Sequence, residues 1–444
     1  MAASWRIPTL DSCQLLLDHV VLGHETATVE SCAVVSRISC PGAWLRTCVC
    51  LALVCSSLLG SRAARAEPDS DNSALSVDVH GFVSQGLIKT TDNNYLAASK
   101  RGSLEFSEVG LNFTKSVTEE LRVGVQLFAR DLGPVGNYRP QFDWYYLDYH
   151  FWDWLGIRAG RTKLPFGLYN EIQDVDQARE PILLPQSMYP IDNRDLLLAQ
   201  TGGEAYGQIK LGDAGALEYR AYGGTIYAPI PTSPNPSISV TSIEVPYLYG
   251  GRLMWQTPLD GLQLGGSAQK LRLNVEYALD ANLTTALKAA GIVPSDFTKL
   301  RTGLPFTLWV ASAEYAAHDL LLAFEYGRWS ADVESSAPLL YPEVDARNER
   351  YYAMASYRVT PWFTPGLYYS VLYPDVHNHR GRQHYQHDFA ATVRYDLNAN
   401  WLVKLEGHVM HGTAALNKDL NDGHELPTLV KDWGLLLFKT TAYF

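Results

Sequence analysis

Residues Trp433 to Phe444 read W-G-L-L-L-F-K-T-T-A-Y-F and end on an aromatic residue. Counted with a period of two, one row of this stretch is largely apolar, whereas the other becomes amphipathic after Leu437; the apolar row consists of Gly434, Leu436, Phe438, Thr440, Ala442 and Phe444. Successive side chains of a β-strand point to opposite faces, so a period of two predicts a strand. We therefore expect a strand with one apolar face and one partly wet face.

Similar amphipathic stretches recur along most of the chain. We count sixteen of them between Ser76 and Phe444, and each is long enough for the ~9–11 residues that a tilted membrane-spanning strand requires. In the stretch 121–131, apolar side chains alternate with polar ones that include Arg122 and Arg130. An apolar row opposite a polar row is the pattern of a barrel wall around water.

The connections between these stretches alternate between short and long. Turns such as Thr118 to Glu120 are tight, whereas the loops include 166–200 and 279–304. Outer-membrane barrels sort their connections in this way, and a soluble β-sandwich does not. The sequence therefore predicts an all-β fold, a transmembrane antiparallel β-barrel of about 16 strands with short periplasmic turns and long extracellular loops. A soluble β protein with core aromatic residues is the alternative.

The first 66 residues are expected to be a leader. Arg46 precedes an apolar run from Cys48 to Gly60, and Ala64-Arg65-Ala66 has the small-x-small pattern of a cleavage site, so a signal peptide would be cut near Ala66. A retained membrane anchor is the alternative for this run. All six cysteines precede the expected cut, so the exported chain would form no disulfide.

This pattern divides the chain into three parts. We expect residues 1–66 to be the leader, 67–75 to be a short N-terminal segment and 76–444 to be the barrel. Residues 1–43 match no targeting pattern, and we interpret them as a translation start assigned too far upstream.

Charge and hydropathy argue against two other classes of protein. The formal net charge is −11, and nucleic-acid binding needs a basic footprint, so we expect no nucleic-acid partner. After residue 66, no apolar run approaches the ~18 residues that a transmembrane helix requires. If this part of the chain enters a membrane, it must do so as strands.

Three stretches resemble a known family. They are V-H-G-F-V-S-Q-G-L-I-K at 79–89, I-R-A-G-R-T-K-L-P-F-G-L-Y-N-E at 157–171, and the final aromatic residue. They are similar to Gram-negative outer-membrane porins, in particular the phosphate-selective porin O/P-like group and its dicarboxylate-channel relatives. The resemblance implies a sixteen-strand, homotrimeric channel for passive diffusion, surrounded by outer-membrane lipid. It also implies assembly by the barrel-assembly machinery through the strand ending at Phe444, and a third long loop folded into the lumen.

The third long loop, 166–200, is the candidate constriction. Its apolar residues Leu183, Leu184, Met188 and Tyr189 need a place to be buried, and packing inside the barrel wall would provide one. A floppy external loop is the alternative. The loop also carries the charged residues that we expect at the constriction: Glu171, Asp174, Asp176, Arg179, Arg194 and Asp195.

The polar rows of the predicted strands assign basic residues to the pore lining. These are Arg122, Arg130, Arg158, Arg220, Arg252, Lys270, Arg272, Arg350, Arg358, Arg394, Lys404 and Lys439. The acids placed in the same rows are fewer: Asp148, Glu218, Glu276, Glu314, Glu325, Asp388 and Glu406. A field focused in a low-dielectric tube acts on a permeating ion more than net charge does, so we expect small polar or anionic solutes.

Two further observations concern the ion preference of the channel. The wall cations could pair with neighbouring acids and leave no ion preference. The phosphate-selective group has a dense basic ladder at its constriction, whereas this third loop has only Arg179 and Arg194 against six acids. This difference argues against phosphate specificity.

Other functions find less support in the sequence. We expect neither enzyme activity nor a cofactor, because no activated nucleophile with its partners can be named. The histidine-rich stretch His377 to His387 could bind zinc or copper, but we interpret it as a solvated loop. We read Asp280 to Gly291 as a short helix in a loop. A structural or adhesive barrel with a plugged lumen is the main alternative, and a membrane-embedded hydrolase is a weaker one.

Overall fold

The computed structural model describes residues 76–228 and 237–444, apart from the side chain of Asn193, so the expected leader lies outside the described residues. Within these ranges seventeen strands form one antiparallel sheet: β1 Asp78–Thr90, β2 Phe106–Ser116, β3 Leu121–Leu132, β4 Gln141–Trp152, β5 Leu155–Lys163, β6 Ala199–Lys210, β7 Ala216–Thr225, β8 Ile238–Gln256, β9 Leu262–Leu279, β10 Leu300–Ala317, β11 Leu320–Asp332, β12 Glu334–Ser335, β13 Asp345–Tyr357, β14 Phe363–Tyr373, β15 Gln386–Asn398, β16 Trp401–Gly412 and β17 Asp432–Tyr443.

The sheet closes into a barrel. Each long strand pairs with its neighbours along the chain, and β17 pairs with β1 from Phe82 opposite Tyr443 to Thr90 opposite Leu435. The two-residue β12 only extends the pairing of β10, so the described chain forms a closed antiparallel barrel of sixteen strands, as predicted. Closure matters because an open edge would leave backbone donors and acceptors without partners.

Alternating burial defines two rows on each strand. In β17, Leu437 and Lys439 are almost completely buried, whereas Leu436 is 46% and Phe438 41% exposed. We call the buried row, which faces the barrel interior, the inner row and the exposed row the outer row. As the period of two predicted, Phe444 continues the outer row.

Three neighbouring strands are the longest of the described strands. β8 contains 19 residues and β9 and β10 contain 18 each. β8 includes Pro246, whose nitrogen cannot donate a hydrogen bond to the neighbouring strand. In the structure, β8 continues through Pro246, and its pairing with β9 shifts register between Glu244 and Tyr247. Such an irregularity accommodates a proline within a strand.

In the described part of the chain, two short α-helices lie in loops, α1 at Arg194–Leu197 and α2 at Ala281–Ala289. The loop helix predicted at Asp280 to Gly291 is therefore confirmed. Asp280 caps α2 by accepting a hydrogen bond from the Leu283 amide at 2.8 Å. A hydrogen bond from Ser237 and this amide lower the pKa of Asp280. Within the described ranges, no helix is long and apolar enough to cross a membrane.

Deleting Phe444 should reduce barrel assembly before it alters conduction. The amide of Gly81 donates to the Phe444 carbonyl at 3.0 Å, and the Phe444 amide donates to the Gly81 carbonyl at 3.1 Å. Loss of both hydrogen bonds weakens the closing strand pair by about 1–3 kcal/mol. Heat-modifiable migration in gel electrophoresis measures the folded fraction. Val409→Ala, which truncates an exposed side chain of the outer row, is the control, and normal heat-modifiable barrels from the deletion would contradict the prediction.

Candidate functional site

The third loop runs from 164 to 198, between β5 and β6, and packs against the inner rows of other strands. Its apolar residues Leu183, Leu184, Met188 and Tyr189 are buried, as the sequence led us to expect. They belong to two apolar clusters that also contain inner-row residues of distant strands, such as Tyr352 and Leu437. The loop therefore packs on residues of the barrel wall.

The side chain of Glu406, in β16, binds the backbone of one segment of this loop. Its carboxylate accepts hydrogen bonds from the amides of Ile182 at 2.6 Å and Leu183 at 3.0 Å. The buried His408 lies between Glu406, 3.0 Å from Nε2, and Asp388, 2.9 Å from Nδ1. A carboxylate only accepts hydrogen bonds, so contacts with both ring nitrogens favour a doubly protonated imidazolium.

Two lysines of the inner row bind the segment that precedes it. The Lys404 ammonium donates to the carbonyls of Asp176 at 2.7 Å and Arg179 at 2.6 Å. The Lys439 ammonium lies 2.6 Å from Glu108 and 2.8 Å from the Asp176 carboxylate. Burial alone would raise the pKa of Asp176, but the charges of Lys439, Arg179 and Lys404 outweigh burial and hold it below its usual range.

Glu325 of β11 binds the two ends of another loop segment. Its carboxylate accepts from the Leu168 amide at 3.0 Å, from the Tyr352 hydroxyl at 2.8 Å, and from the Tyr189 hydroxyl. The Tyr189 hydroxyl in turn accepts from the amides of Leu168 and Tyr169. Burial, and then the nearby charge of Glu325, raise the pKa of Tyr189. Glu325 thus connects the start of the loop with its later part.

Arg194, in α1, is the buried centre of a third anchor. It donates to both oxygens of Asp174, at 2.8 and 2.7 Å, and to Asp143 of β4 at 2.6 Å, while its guanidinium lies 4.3 Å from the Phe128 ring centroid. Burial would raise the pKa of Asp174, but the charges of Arg194 and Lys163 lower it overall. Asp195 is different, because its side chain is 38% exposed and lies 3.9 Å from Arg194.

A ladder of arginines and carboxylates covers the inner rows of β4 to β8. Arg158 pairs with Asp148 at 2.8 Å, and Glu204 contacts both Arg158 and Arg220. Arg220 also reaches Glu171 of the third loop at 3.1 Å. Glu204 is buried, but the side chains of Arg158 and Arg220 remain partly exposed, so the two arginines can contact water inside the barrel.

Glu171 is shared by two arginines of this ladder. It lies 3.1 Å from Arg220 and 3.2 Å from Arg252, and Arg252 also pairs with Glu218 at 2.9 Å. We call the group the arginine ladder; it consists of Arg158, Arg220 and Arg252 with Asp148, Glu171, Glu204 and Glu218. It joins one predicted constriction residue to three predicted wall cations.

The remaining predicted wall cations have varied surroundings. Arg394 pairs with Asp396 at 2.9 Å and Glu180 at 3.5 Å. It borders a cavity of about 610 Å³ at the short-turn end, which Arg358 also lines. Arg350 is buried, stacked 3.3 Å from the Trp329 ring centroid, and donates to the Ser187 carbonyl.

Arg130 and Arg122 complete the inner-row cations of β3. Arg130 is buried and donates to the carbonyl of Ile191 in the third loop at 3.3 Å. Arg122 is exposed, and its nearest described hydrogen-bond partner is the Thr114 hydroxyl at 3.4 Å. Of the predicted wall cations on the described inner rows, only Arg122 and Arg358 have exposed side chains.

The assignment of Lys270 and Arg272 to the pore lining is corrected by the structure. The inner row of β9 contains Ser267, Gln269 and Leu271, so both cations lie in the outer row, and Arg272 pairs with Glu334 at 2.5 Å. Glu276, placed in the lumen with them, shares the outer row. The sequence assignment fails here because this end of β9 has apolar residues in its inner row, where they belong to the large apolar cluster, and polar residues in its outer row.

Several charged residues of the inner rows were not predicted from the sequence. They are Glu108, Asp143, Glu204 and His408, all buried. A signal for Glu108 was available, since it alternates with Phe106 and Gly110 in one row of β2. For Asp143 there was none, because β3 and β4 shift register between Gln126 and Leu127, and the shift moves this part of β4 out of simple alternation.

No group of three or more His, Cys, Asp or Glu side chains is arranged to hold a metal ion in residues 76–228 and 237–444. Within the histidine-rich stretch His377 to His387, His379 stacks on Tyr373 with ring centroids 4.0 Å apart, and His384 contacts Asn378. These histidines are therefore engaged with separate neighbours.

Known structures with a similar fold are outer-membrane proteins. The outer-membrane protein OmpT of Vibrio cholerae matches with a TM-score of 0.53 and 13% identity, over 83% of this chain and 97% of that chain. An anion-selective porin from Comamonas acidovorans matches with a TM-score of 0.51 and 11% identity, over 83% and 99%. No protein-family model and no curated protein sequence matches the chain. The chain therefore shares its fold, a closed antiparallel β-barrel, with these outer-membrane proteins.

Replacing Glu406 by Gln should loosen the third loop. The amides of Ile182 and Leu183 donate to different oxygens of Glu406, and glutamine replaces one of these oxygens with an NH2 group, which is a donor. Each charge-assisted hydrogen bond contributes about 1.5–3 kcal/mol. We expect faster tryptic cleavage after Arg179 or Arg194, detected by mass spectrometry of the folded protein. Glu334→Gln, at an exposed pair with Arg272, is the control. Equal cleavage in wild type, Glu406→Gln and the control would refute the anchor.

The Asp174 anchor should keep its contribution to stability down to about pH 4. Its pKa is lowered in the folded state, so the stabilisation is fully present above the unfolded value of ~3.9 and is lost as pH falls through the lower folded value. Breaking a buried pair costs about 3–5 kcal/mol. The difference in unfolding free energy between wild type and Asp174→Asn should be constant from pH 7 to 4 and shrink below.

Equilibrium urea unfolding in lipid vesicles measures this difference. Asp195→Asn is the matched control. Asp195 lies in the same loop, but its side chain is partly exposed and its distance to Arg194, 3.9 Å, is longer than that of Asp174. Its effect should stay within about 1 kcal/mol at every pH. A difference for Asp174→Asn that disappears already at pH 6 would contradict the lowered pKa.

Proposed function

We propose that the protein forms a channel in the outer membrane of a Gram-negative bacterium, through which small polar or anionic solutes diffuse passively. The observation that carries the proposal is a closed barrel with an apolar outer row and a charged interior into which the third loop is bound. An apolar exterior suits lipid, and a polar interior suits water and solutes. The fold shared with an anion-selective porin agrees with this function.

The third loop would narrow the channel in this proposal. Three separate anchors support it, at Glu406 with Lys404, at Glu325 and at Arg194. These partners belong to strands on widely separated parts of the wall, which supports a path of the loop through the interior. A constriction formed in this way would be rigid, because its backbone groups are bound by buried charges.

The arginine ladder supports the solute class. The guanidinium group presents a planar fork of donors that matches carboxylate and phosphate oxygens. Its acids share these donors, so we propose a mild anion preference and no dedicated phosphate site. The two arginines of the third loop, Arg179 and Arg194, are both bound to aspartates of the same loop and would add little to the preference.

The assembly and export of the protein follow the same proposal. Exposed apolar side chains of the outer row, such as Leu253 and Phe389, support contact with outer-membrane lipid. We propose a homotrimer, export by a signal peptide cut near Ala66, and insertion by the barrel-assembly machinery through the strand that ends at Phe444. The pairing of this strand with β1 supports its role as the last step of closure.

A barrel with a plugged lumen is the second candidate function. The large apolar cluster inside the wall favours it, because loop residues such as Phe166 and Met188 pack directly on inner-row residues. A structural or adhesive barrel would need no open path. Single-channel conductance of the purified protein in a planar bilayer distinguishes the two, since a plugged barrel conducts no ions.

Changes in the arginine ladder should shift ion selectivity in opposite directions. One charge is worth about 1 kcal/mol in a hydrated lumen. The double variant Arg220→Gln/Arg252→Gln should therefore reduce the anion-to-cation permeability ratio by at most roughly fivefold for each removed charge. Glu171→Gln should raise the ratio, because it removes the carboxylate that both arginines share while Arg220 keeps Glu204 and Arg252 keeps Glu218. Reversal potentials in asymmetric potassium chloride measure the ratio.

Arg347→Gln provides the control for these variants. Arg347 is exposed in the outer row of β13 and pairs with Asp345, so its loss should leave the permeability ratio unchanged. Clear cation selectivity of the wild-type channel, or equal shifts for Glu171→Gln and the arginine variants, would refute the assigned solute class.

A further inference from the structure

We propose that His387 and His411 form a binding site for a divalent transition-metal ion, such as Cu²⁺ or Zn²⁺, on the outer surface of the barrel. His387 lies at the start of β15 and His411 near the end of β16, so both are at the long-loop end of the wall. The two residues are directly opposite each other in the register of these strands. This site is separate from the third loop and the arginine ladder.

The spacing of the two rings fits a shared metal ion. Opposite residues of an antiparallel pair have Cβ atoms about 4.5–5.5 Å apart, close enough for two imidazoles to converge. A metal–nitrogen bond of ~2.0–2.1 Å places two ring centroids roughly 4.5–6.4 Å apart, depending on the angle at the metal. The observed separation of the His387 and His411 centroids is 6.0 Å. Small ring rotations would therefore suffice, with no change in the backbone.

Hydrogen bonds at the other ring nitrogens orient both imidazoles. The Nδ1 atom of His387 lies 2.7 Å from the Tyr369 hydroxyl, and the Nδ1 atom of His411 contacts the Asp432 carboxylate. Metal-binding histidines commonly donate one ring N–H to a carboxylate or another oxygen and bind the metal through the other nitrogen. In this arrangement each Nε2 atom carries the lone pair that a metal requires.

The surroundings would complete and stabilise such a site. The His411 and Asp432 side chains are 45% and 63% exposed, so water can supply the remaining ligands. Tyr385 stacks on the His411 ring with centroids 5.2 Å apart and restricts its rotation. The carboxylate of Asp432 also adds negative charge next to the bound cation. Imidazole ligands with water favour copper, zinc or nickel over calcium and magnesium.

Isothermal titration of the full chain, purified in detergent without a polyhistidine tag, tests the proposal with Cu²⁺ and Zn²⁺. We expect one saturable site, and electron paramagnetic resonance of bound Cu²⁺ should show nitrogen ligands. His387→Gln and His411→Gln should each weaken binding by at least about tenfold, and Asp432→Asn should weaken it by about tenfold through the orientation of His411.

Two histidines elsewhere serve as controls. His150→Gln, at an exposed histidine near the short-turn end of β4, and His377→Gln, in the preceding loop, should leave the affinity unchanged. If a variant fails to show heat-modifiable migration, protection of His387 and His411 from diethylpyrocarbonate by Zn²⁺ in the wild type replaces it. Absence of saturable binding, or unchanged affinity in both His387→Gln and His411→Gln, would overturn the proposal, whatever the channel conductance.

Discussion

The backbone hydrogen bonds between β1 and β17 are the constraint on which the rest of this structure depends. Without water, an unpaired backbone N–H or C=O group costs several kcal/mol, so a sheet that enters a membrane must have no free edge. The pairing from Phe82 opposite Tyr443 onwards removes both edges at once. Gly81 allows a close approach at this junction, because a Cβ atom there would lie 2.4 Å from the Phe444 ring and 2.9 Å from the Gly110 carbonyl oxygen. Once the ring is closed, the inner row encloses a space that the third loop can occupy.

The backbone groups of a loop inside the barrel also need hydrogen-bond partners. A loop buried in the interior must find partners for its backbone groups, and the inner row supplies them with charges. Lys404 and Glu406 are two residues apart on β16; the lysine binds carbonyls and the glutamate binds amides of neighbouring loop segments. The charges of Lys404 and Glu406 therefore serve to bind the loop. An ion inside the barrel would meet the partly exposed arginine ladder and would not meet the buried lysines, so a count of wall charges overstates the basic character of the lumen.

The architecture could be predicted from the sequence because its signals are local. A period of two, the alternation of short and long connections and the helix at Asp280 depend on neighbouring residues only. The inner-row assignment failed at Lys270 and Arg272, where polarity no longer marks the inside because the inner row belongs to a large apolar cluster. Asp143 was missed because a register shift between β3 and β4 interrupts the alternation, and Glu204 because its arginine partners lie in other strands.

The amino-acid sequence by itself determined that the chain is a barrel, how its rows alternate and which strands meet at the closure, because each strand pairs with the next along the chain. Only the tertiary structure decided which charges pair. Lys439 lies between Glu108 and Asp176, and His387 lies opposite His411 with Asp432 beside it. Such contacts join residues far apart in the chain, and they depend on strand register and on the path of the loop, which no local periodicity encodes.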